Sequence, residues 1–256
     1  MARTPAFAKA PARHGKVRPY TPFGVTPMQS GQAIRRNQGA EPAEGPGADG
    51  STLRLRALSF HQSETTTDTL HVTRSMPLPT KDEARQLLEQ HVTDNYQRHH
   101  ARMVATALEG YAQLFQGDPQ LWFVTGLLHD IDFEKHPDTH PRESLGWFKE
   151  WDYPEDLLHA VEAHAYGYHG FSTPPRTKLA AALLATDELC GIMYAYRKLN
   201  PVRYGEMKAS SIKKKVKEPA FAAKVDRATI YAGCEHLGVP VDDHIANVIK
   251  FLAAFD

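Results

Sequence analysis

From residue 80 onward, apolar residues recur every three or four positions, which is the spacing typical of amphipathic α-helices. No segment in this part of the chain alternates apolar and polar residues over the length of a strand. The pattern therefore predicts an all-α body. The predicted helices cover residues 81–91, 94–116, 119–129, 141–151, 154–166, 176–199, 218–237 and 241–255.

The N-terminal part of the chain has a different character. Its first 50 residues contain seven Pro and seven Gly and almost no periodic apolar pattern. Such a segment cannot bury enough apolar surface to offset its loss of conformational entropy, so we expect residues 1–75 to be a disordered extension. A capping-box pattern of Thr80 and Glu83 then predicts the first helix start. We therefore predict a helical domain over 76–256, with Met76 as the natural initiator and the preceding residues as a wrongly assigned extension or a tail.

Charge and composition exclude several classes of protein. The 30 Lys and Arg residues balance the 30 Asp and Glu residues, and residues 76–256 hold 20 basic against 25 acidic residues. A neutral to acidic body argues against nucleic acid as a partner, because such binding needs a basic face. No apolar run approaches the roughly 20 residues of a membrane span, so a cytoplasmic protein with no membrane contact is expected. Cys190 and Cys234 lie in apolar helical contexts that predict small buried residues.

The 14 histidines carry the candidate chemistry. His100 falls on the apolar stripe of the second predicted helix, whereas His99 falls on its polar face. The third helix runs into the doublet His129-Asp130. A buried carboxylate at a helix C-terminus is costly, because that end carries partial negative charge, so a compensating cation is expected. Asp187 is a second carboxylate on an apolar helix face.

Two further histidines follow the doublet, His140 before a proline and His164 in the fifth predicted helix. Histidine and aspartate together are ordinary ligands of Fe, Mn, Ni, Co and Zn, and we expect one or two such divalent ions per chain. The ordered set of candidate metal ligands is His100, His129, Asp130, His140, His164 and Asp187.

A histidine, a later His-Asp doublet and a distal aspartate resemble the signature of the HD-domain superfamily of metal-dependent phosphohydrolases. The resemblance covers roughly residues 80–200, and its most specific part is Gly126-Leu-Leu-His-Asp-Ile-Asp-Phe-Glu. The segment from residue 76 is also similar to a group of uncharacterised bacterial HD hydrolases. Ser144 stands where many members carry Gly.

The resemblance implies a helical bundle and a metal site. One metal would be held by the ligands of the signature, which are His100, His129, Asp130 and Asp187. In members with a binuclear centre, the positions resembled by His140 and His164 hold a second metal, with Asp130 as the bridging ligand.

Two adjacent metals can activate a bridging water and hold a phosphoryl group during in-line attack. We therefore expect hydrolysis of a small phosphorylated substrate, a nucleotide or another phosphomonoester, with His129 and Asp130 at the catalytic centre. The alternatives are a di-iron HD-type oxygenase similar to myo-inositol oxygenase and a metal- or nucleotide-binding module without turnover. Ligand types alone do not separate these classes, and the sequence does not indicate the oligomeric state.

Positive side chains should meet the substrate phosphate. Lys135, Arg142 and Lys178 lie near the motifs and are the candidates, together with His169 in a Gly-flanked loop. The lysine run at 213–217 is either a further source of positive charge or a solvated helix face.

Several residues near the motifs have two possible interpretations. Asp132 and Glu134 either orient a metal-bound water or a ligand histidine, or belong to an exposed acidic loop. The aromatic residues from Trp147 to Tyr153 favour a core position over a base-stacking platform. The chain after residue 200 is expected to pack on the helical core, where it would form part of a pocket wall or a dimer face.

Overall fold

The computed structural model describes residues 78–255, and this part of the chain contains helices and no strand. The all-α prediction is therefore confirmed for the described residues. The expectations for residues 1–75 and for Met76 lie outside them. The α-helices are α1 (Lys81–His91), α2 (Asn95–Phe115), α3 (Pro119–Leu128), α4 (Arg142–Glu150), α5 (Glu155–His164), α6 (Lys178–Leu199), α7 (Ala209–Val216), α8 (Arg227–Leu237) and α9 (Val241–Phe251). Short 3-10 helices follow at Tyr204–Glu206 and Leu252–Ala254.

Side-chain caps fix where the first helices begin. The predicted capping box is present, since the Glu83 carboxylate accepts the Thr80 backbone N–H at 2.8 Å and the Thr80 hydroxyl accepts the Glu83 N–H at 3.3 Å. Asp94 caps α2 by accepting the Gln97 N–H at 2.8 Å. Asp118 caps α3 in the same way. These caps satisfy backbone donors that the helix itself leaves unpaired, so the sequence locates the helix starts well.

The prediction of one helix over 218–237 is wrong. α8 begins only at Arg227, because the side chain of Asp226 caps it by accepting the Ala228 N–H at 2.8 Å. Before it, the chain turns at Ala222, which has a φ of 47°. The unpredicted helix α7 carries the lysine run, and its ion pairs with Asp242 and Glu218 favour the solvated-face reading.

Among the described residues, two hydrophobic clusters that both include residues of α2 form the core. The larger cluster joins α2 to α6, α8 and α9, and the smaller one joins it to α1, α3, α4 and α5. Cys190 and Cys234 are both buried, as predicted, and both are free thiols. Phe148 is fully buried in the smaller cluster, and Trp147, Trp151 and Tyr153 pack against it, as expected of core residues. α2 is thus the helix around which the fold is assembled.

By length and composition, α6 is apolar enough to cross a membrane. No apolar run of that length was predicted from the sequence. Most of it is buried inside the fold. Its apolar character is therefore explained by its central position, with α2, α5 and α8 packed around it.

Two glycines allow the helices to approach closely. A Cβ on Gly126 of α3 would lie 2.8 Å from Cα of Ala105 on α2, and one on Gly233 of α8 would lie 2.4 Å from the backbone nitrogen of Ala185 on α6. Neither contact can relax by moving a flexible side chain, because the neighbour is backbone. These two crossings set the spacing of helices α2, α3, α6 and α8.

We expect Gly126→Ala to destabilise the fold by about 1–3 kcal/mol, because the added methyl group overpacks the α2–α3 contact. Gly146→Ala is the matched control, since a Cβ at Gly146 in α4 meets nothing within 4 Å. That control should be neutral or stabilise the helix by about 0.5–1 kcal/mol. Urea denaturation of the two variants measures the difference, and equal stabilities would contradict the packing argument.

His244 of α9 is a buried histidine outside the candidate metal ligands. It is fully buried, with Nε2 at 3.0 Å from the Ala185 carbonyl and Nδ1 at 2.6 Å from the Tyr111 hydroxyl. Burial lowers the pKa of His244 to about 4, although its hydrogen bond to Ala185 opposes the shift. The folded protein therefore keeps this imidazole neutral at pH values where the unfolded chain protonates it.

The free energy of unfolding should fall by up to about 3 kcal/mol through His244 as the pH drops from about 6.5 to about 4, since only the unfolded chain takes up this proton in that window. Above about pH 6.5 the contribution is fully present. His244→Asn should remove this part of the pH dependence, and His236→Asn, at an exposed position of α8, should retain it. Urea denaturation across this pH range tests the prediction, which fails if both variants keep the wild-type slope.

Candidate metal centre

The His129-Asp130 doublet lies directly after α3, which ends at Leu128. Nδ1 of His129 is 2.8 Å from the carbonyl oxygen of Gly126. A carbonyl can only accept, so Nδ1 carries a proton and Nε2 faces the carboxylates around it. His129 is fully buried, and its Nε2 has no hydrogen-bond partner.

Four side chains from three regions form the first ligand group. Nε2 of His100 on α2 lies 2.8 Å from Oδ1 of Asp187 on α6. Nε2 of His129 lies 3.3 Å from Oδ2 of Asp130 and 3.5 Å from Oδ1 of Asp187. One ligand atom from each of the four residues falls within 4.8 Å of all the others, a grouping that could hold a metal ion.

The second ligand group contains Asp130, His140 and His164. Nδ1 of His140 is 2.6 Å from Asp132 and Nδ1 of His164 is 2.5 Å from the Val161 carbonyl, so in both rings the proton is held on Nδ1. Their Nε2 atoms face each other at 3.0 Å. Burial opposes the charged form of His140, but Asp130 and Asp132 outweigh it and raise the pKa of His140 to about 9. A proton or a metal ion at these nitrogens makes the arrangement favourable.

Asp130 joins the two groups. Its Oδ2 lies 3.3 Å from Nε2 of His129, and its Oδ1 lies 3.1 Å from Nε2 of His140 and 3.5 Å from Nε2 of His164. The two oxygens of one carboxylate therefore serve different sets of histidines, which is the geometry of a bridging ligand.

The electrostatics of the cluster also favour bound positive charge. Burial alone would lower the pKa of His129, but Asp130 and Asp187 outweigh it and raise that pKa well above its ordinary value. Burial opposes ionisation of Asp130, yet the pKa of this carboxyl is held well below its ordinary value by His129, His140 and His164. The cluster stabilises a cation whether the cation is a proton or a metal, and the converging lone pairs fit a metal.

Asp132 is buried completely and contacts the second ligand group from behind. Its carboxylate accepts the Nδ1–H of His140 and, at 3.0 Å, the backbone N–H of Ser144. Of the two readings, the orienting role therefore fits the structure and the exposed acidic loop does not. Ser144, the departure from the usual Gly, takes part in this arrangement through its backbone.

Glu134 fits neither reading. Its carboxylate accepts the Thr93 N–H at 2.6 Å and the Asp94 N–H at 3.1 Å, where the chain enters α2. It holds the helix that carries His100 and does not reach the metal ligands. His99, expected on a polar face, is instead half-buried, with Nε2 2.8 Å from the Tyr204 hydroxyl.

A cavity of about 30 Å³ opens beside the ligands His140, His164 and Asp187. The rest of its lining comes from α6, α8 and the loop after α5: Ala165, Tyr168, His169, Leu184, Glu188 and Thr229. Of the four residues expected to contact substrate, His169 lines this cavity. The C-terminal helices contribute to its wall through Thr229 of α8, one of the roles expected for this part of the chain.

Lys135, Arg142 and Lys178 are absent from the cavity lining, and no Lys or Arg of the described residues belongs to it. Arg142 is exposed and lies over the Phe171 ring at 5.4 Å. Lys178 donates to the Leu237 carbonyl at 2.6 Å and lies about 13 Å along α6 from Asp187. The expectation that these three side chains meet a substrate phosphate in the cavity is therefore corrected, because they are exposed or contact other parts of the protein.

Glu188, Tyr168 and Thr229 are cavity residues that the sequence reasoning missed. A signal for Glu188 was present, since it follows Asp187 directly and makes an acidic pair inside an otherwise apolar helix. Burial and the neighbouring Asp187 raise the pKa of Glu188 well above its ordinary value. Thr229 carries no such signal, because its position depends on how α8 packs on α6.

The described residues thus form an all-helical body with a buried histidine and aspartate cluster that could hold metal. Residues 98–192 match the family model of the HD domain, a range that contains all six candidate ligands. The match supports the resemblance to the HD-domain superfamily that the sequence motifs indicated. No curated protein and no solved structure matches the chain.

We expect Asp132→Asn to weaken binding of the second of two metal ions by about 10-fold or more, because His140 loses the charged group that fixes its ring and its tautomer. The affinity for the first ion should stay unchanged. Titration with Mn²⁺ or Zn²⁺ in a calorimeter resolves the two events. Asp138→Asn, at an exposed position in the same loop, is the control, and an equal loss of both affinities in Asp132→Asn would contradict the role.

Proposed function

We propose that the protein is a metal-dependent phosphohydrolase with a binuclear centre that acts on a small phosphorylated molecule. The first ion would be held by His100, His129, Asp130 and Asp187, and the second by Asp130, His140 and His164. The observation that carries the proposal is the division of the two Asp130 oxygens between these groups. The match of residues 98–192 to the HD domain supports the same class of reaction.

When bound, a pair of divalent ions supplies an activated water and the positive charge that a phosphoryl group needs. The chain contributes the positioning. Main-chain carbonyls hold the proton of His129 and His164 on Nδ1, and Asp132 does so for His140. The Nε2 atoms therefore face the site before any ion arrives, and an ion would replace protons there without turning the rings.

The cavity supports a small substrate. It offers about 30 Å³ of space for water-sized groups beside the ligands and is open to solvent.

A di-iron oxygenase is the second candidate, since the same ligand set suits two irons. The observation that favours it is the cavity lining, in which no Lys or Arg of the described residues is found. Phosphate-binding sites usually include such side chains. A binding module without turnover is the third outcome of the tests below.

The first test is the metal content of the full chain, purified without oxygen or chelator and measured by mass spectrometry. We expect two equivalents in the wild type, about one in His140→Ala and almost none in Asp130→Asn, because Asp130 serves both groups. His236→Ala, which removes an exposed histidine, is the control and should keep two equivalents. One equivalent in the wild type that is unchanged by His140→Ala would overturn the binuclear centre.

The second test is turnover of a panel of small phosphomonoesters by the same proteins, with and without dioxygen. Phosphate release that is independent of dioxygen and falls by at least about 1,000-fold in Asp130→Asn is expected of the hydrolase. Oxygen consumption with two bound irons and no phosphate release would favour the oxygenase. Full activity of metal-loaded Asp130→Asn would end both catalytic proposals.

A further inference from the structure

A second pocket, which we call the basic pocket, runs along one face of α2. His99, Arg102 and Thr106 follow one another there at intervals of three and four residues, so their side chains share that face. None of the six candidate metal ligands lines the pocket. It is open to solvent and offers about 490 Å³, which is enough for a small organic ligand. Its other lining residues are Arg85 of α1, Phe123 of α3, Arg197 of α6, and Ala254 and Phe255 after α9.

The charge of the basic pocket differs from that of the body as a whole. Its lining contains three arginines and no Asp or Glu of the described residues, although acidic residues outnumber basic ones by 25 to 20 over residues 76–256. An adjoining pocket shares His99 and Arg197 with it and adds Lys198 and Arg203, again without an Asp or Glu from the described part of the chain. Like charges gathered in this way repel one another, and a bound anion would relieve that repulsion.

Two of the arginines are held in position by aromatic rings. The guanidinium of Arg85 lies over the Phe123 ring at 5.1 Å, and that of Arg197 lies over the Tyr204 ring at 4.6 Å. Stacking uses the face of a guanidinium, whereas its N–H donors lie in its plane. These contacts therefore orient the two side chains without using their donors.

Arg102 is the arginine best placed to receive a ligand. It is exposed, its Nε donates to the Arg98 carbonyl at 3.1 Å, and no described residue accepts a hydrogen bond from its two terminal nitrogens. Two such nitrogens in one plane match two oxygens of a phosphate group. One nitrogen of Arg85 lies 2.5 Å from Asp82, but this ion pair is exposed and such pairs contribute little, so a ligand can compete for Arg85.

The number of arginines indicates the class of anion. They come from three different helices, and a single phosphate group is already occupied by one or two guanidinium forks. Two linked phosphate groups offer acceptors to all three arginines. Arg85 and Arg197 also lie outside residues 98–192, so most of this charge is not part of the HD-domain match.

We propose that the basic pocket binds a ligand that carries two or more linked phosphate groups, and that this binding is independent of the metal centre. Arg102 and Arg85 donate to the phosphate oxygens, and Arg197 adds positive charge from α6. The site does not depend on the reaction proposed for the metal centre.

Calorimetric titration of the full chain with pyrophosphate, tripolyphosphate and inorganic phosphate tests this site. We expect one molecule of pyrophosphate or tripolyphosphate to bind per basic pocket, at least about 10-fold more tightly than inorganic phosphate. Linked phosphates also bind metal ions, so the titration is repeated with Asp130→Asn, which alters the metal centre and should retain this binding.

Arginine variants locate the binding. We expect Arg102→Gln to weaken pyrophosphate binding by at least about 10-fold, and Arg102→Lys to weaken it less, because it keeps the charge and loses the fork. The double variant Arg85→Gln with Arg102→Gln should bind more weakly than either single change. Arg176→Gln makes the same change at an exposed position before α6, outside the lining of both pockets, and is the control. Urea denaturation should show similar stabilities for all variants, because each position is exposed.

Linked phosphates occur in nucleotides and in inorganic polyphosphate, and ADP distinguishes these two sources. Phe255 in the basic pocket and Tyr194 in the adjoining one are half-buried rings on which a base would stack. ADP binding that is at least about 10-fold tighter than pyrophosphate binding identifies a nucleotide. Equal affinities identify the linked phosphates alone as the recognised group.

Four results would overturn the inference. Pyrophosphate and tripolyphosphate could fail to bind at millimolar concentration, or could bind no more tightly than inorganic phosphate. Their affinity could be unchanged in both Arg102→Gln and the double variant. Binding could also be lost in Asp130→Asn and kept in the arginine variants, which would assign it to the metal centre. None of these results alters the metal content or the turnover by which the proposed function is tested.

Discussion

The fold depends on the burial of one carboxylate between two sets of histidines. Asp130 follows α3 at its C-terminal end, where the partial charge of the helix disfavours an anion. Its partners are His129 beside it, His164 of α5 and His140 in the loop before α4, so several separate segments must be correctly packed before the charge is compensated. Assembly of the helices and formation of the site are consequently one process.

Packing and polar contacts each determine a different part of how the ligands are placed. Small residues at the helix crossings, such as Gly126 and Gly233, bring the backbones close enough for the side chains to meet. Buried acceptors behind the imidazoles, the carbonyls of Gly126 and Val161 and the carboxylate of Asp132, then fix each ring. The first effect sets distance and the second sets direction, and a metal site needs both.

Sequence reasoning located most helices, because amphipathic period and caps such as Thr80 and Asp118 are local properties. It also identified the six residues that the structure gathers into two groups, since each lies on an apolar face or at a helix end. It failed where tertiary contacts determine the end of a helix or the position of a side chain. The start of α8 at Arg227, the contact of Glu134 with Thr93 and the placement of Lys178 away from the cavity depend on segments distant in sequence.

The residues of the cavity wall come from two parts of the chain, and only one of these parts matches the HD domain. The ligands and Glu188 lie within residues 98–192, whereas Thr229 and Asp226 belong to a C-terminal region outside that match. The hydrogen bond from Tyr168 to Asp226 connects the parts. The shape of this cavity therefore depends in part on residues outside the HD-domain match, so substitutions in α8 can change it while every candidate ligand stays in place.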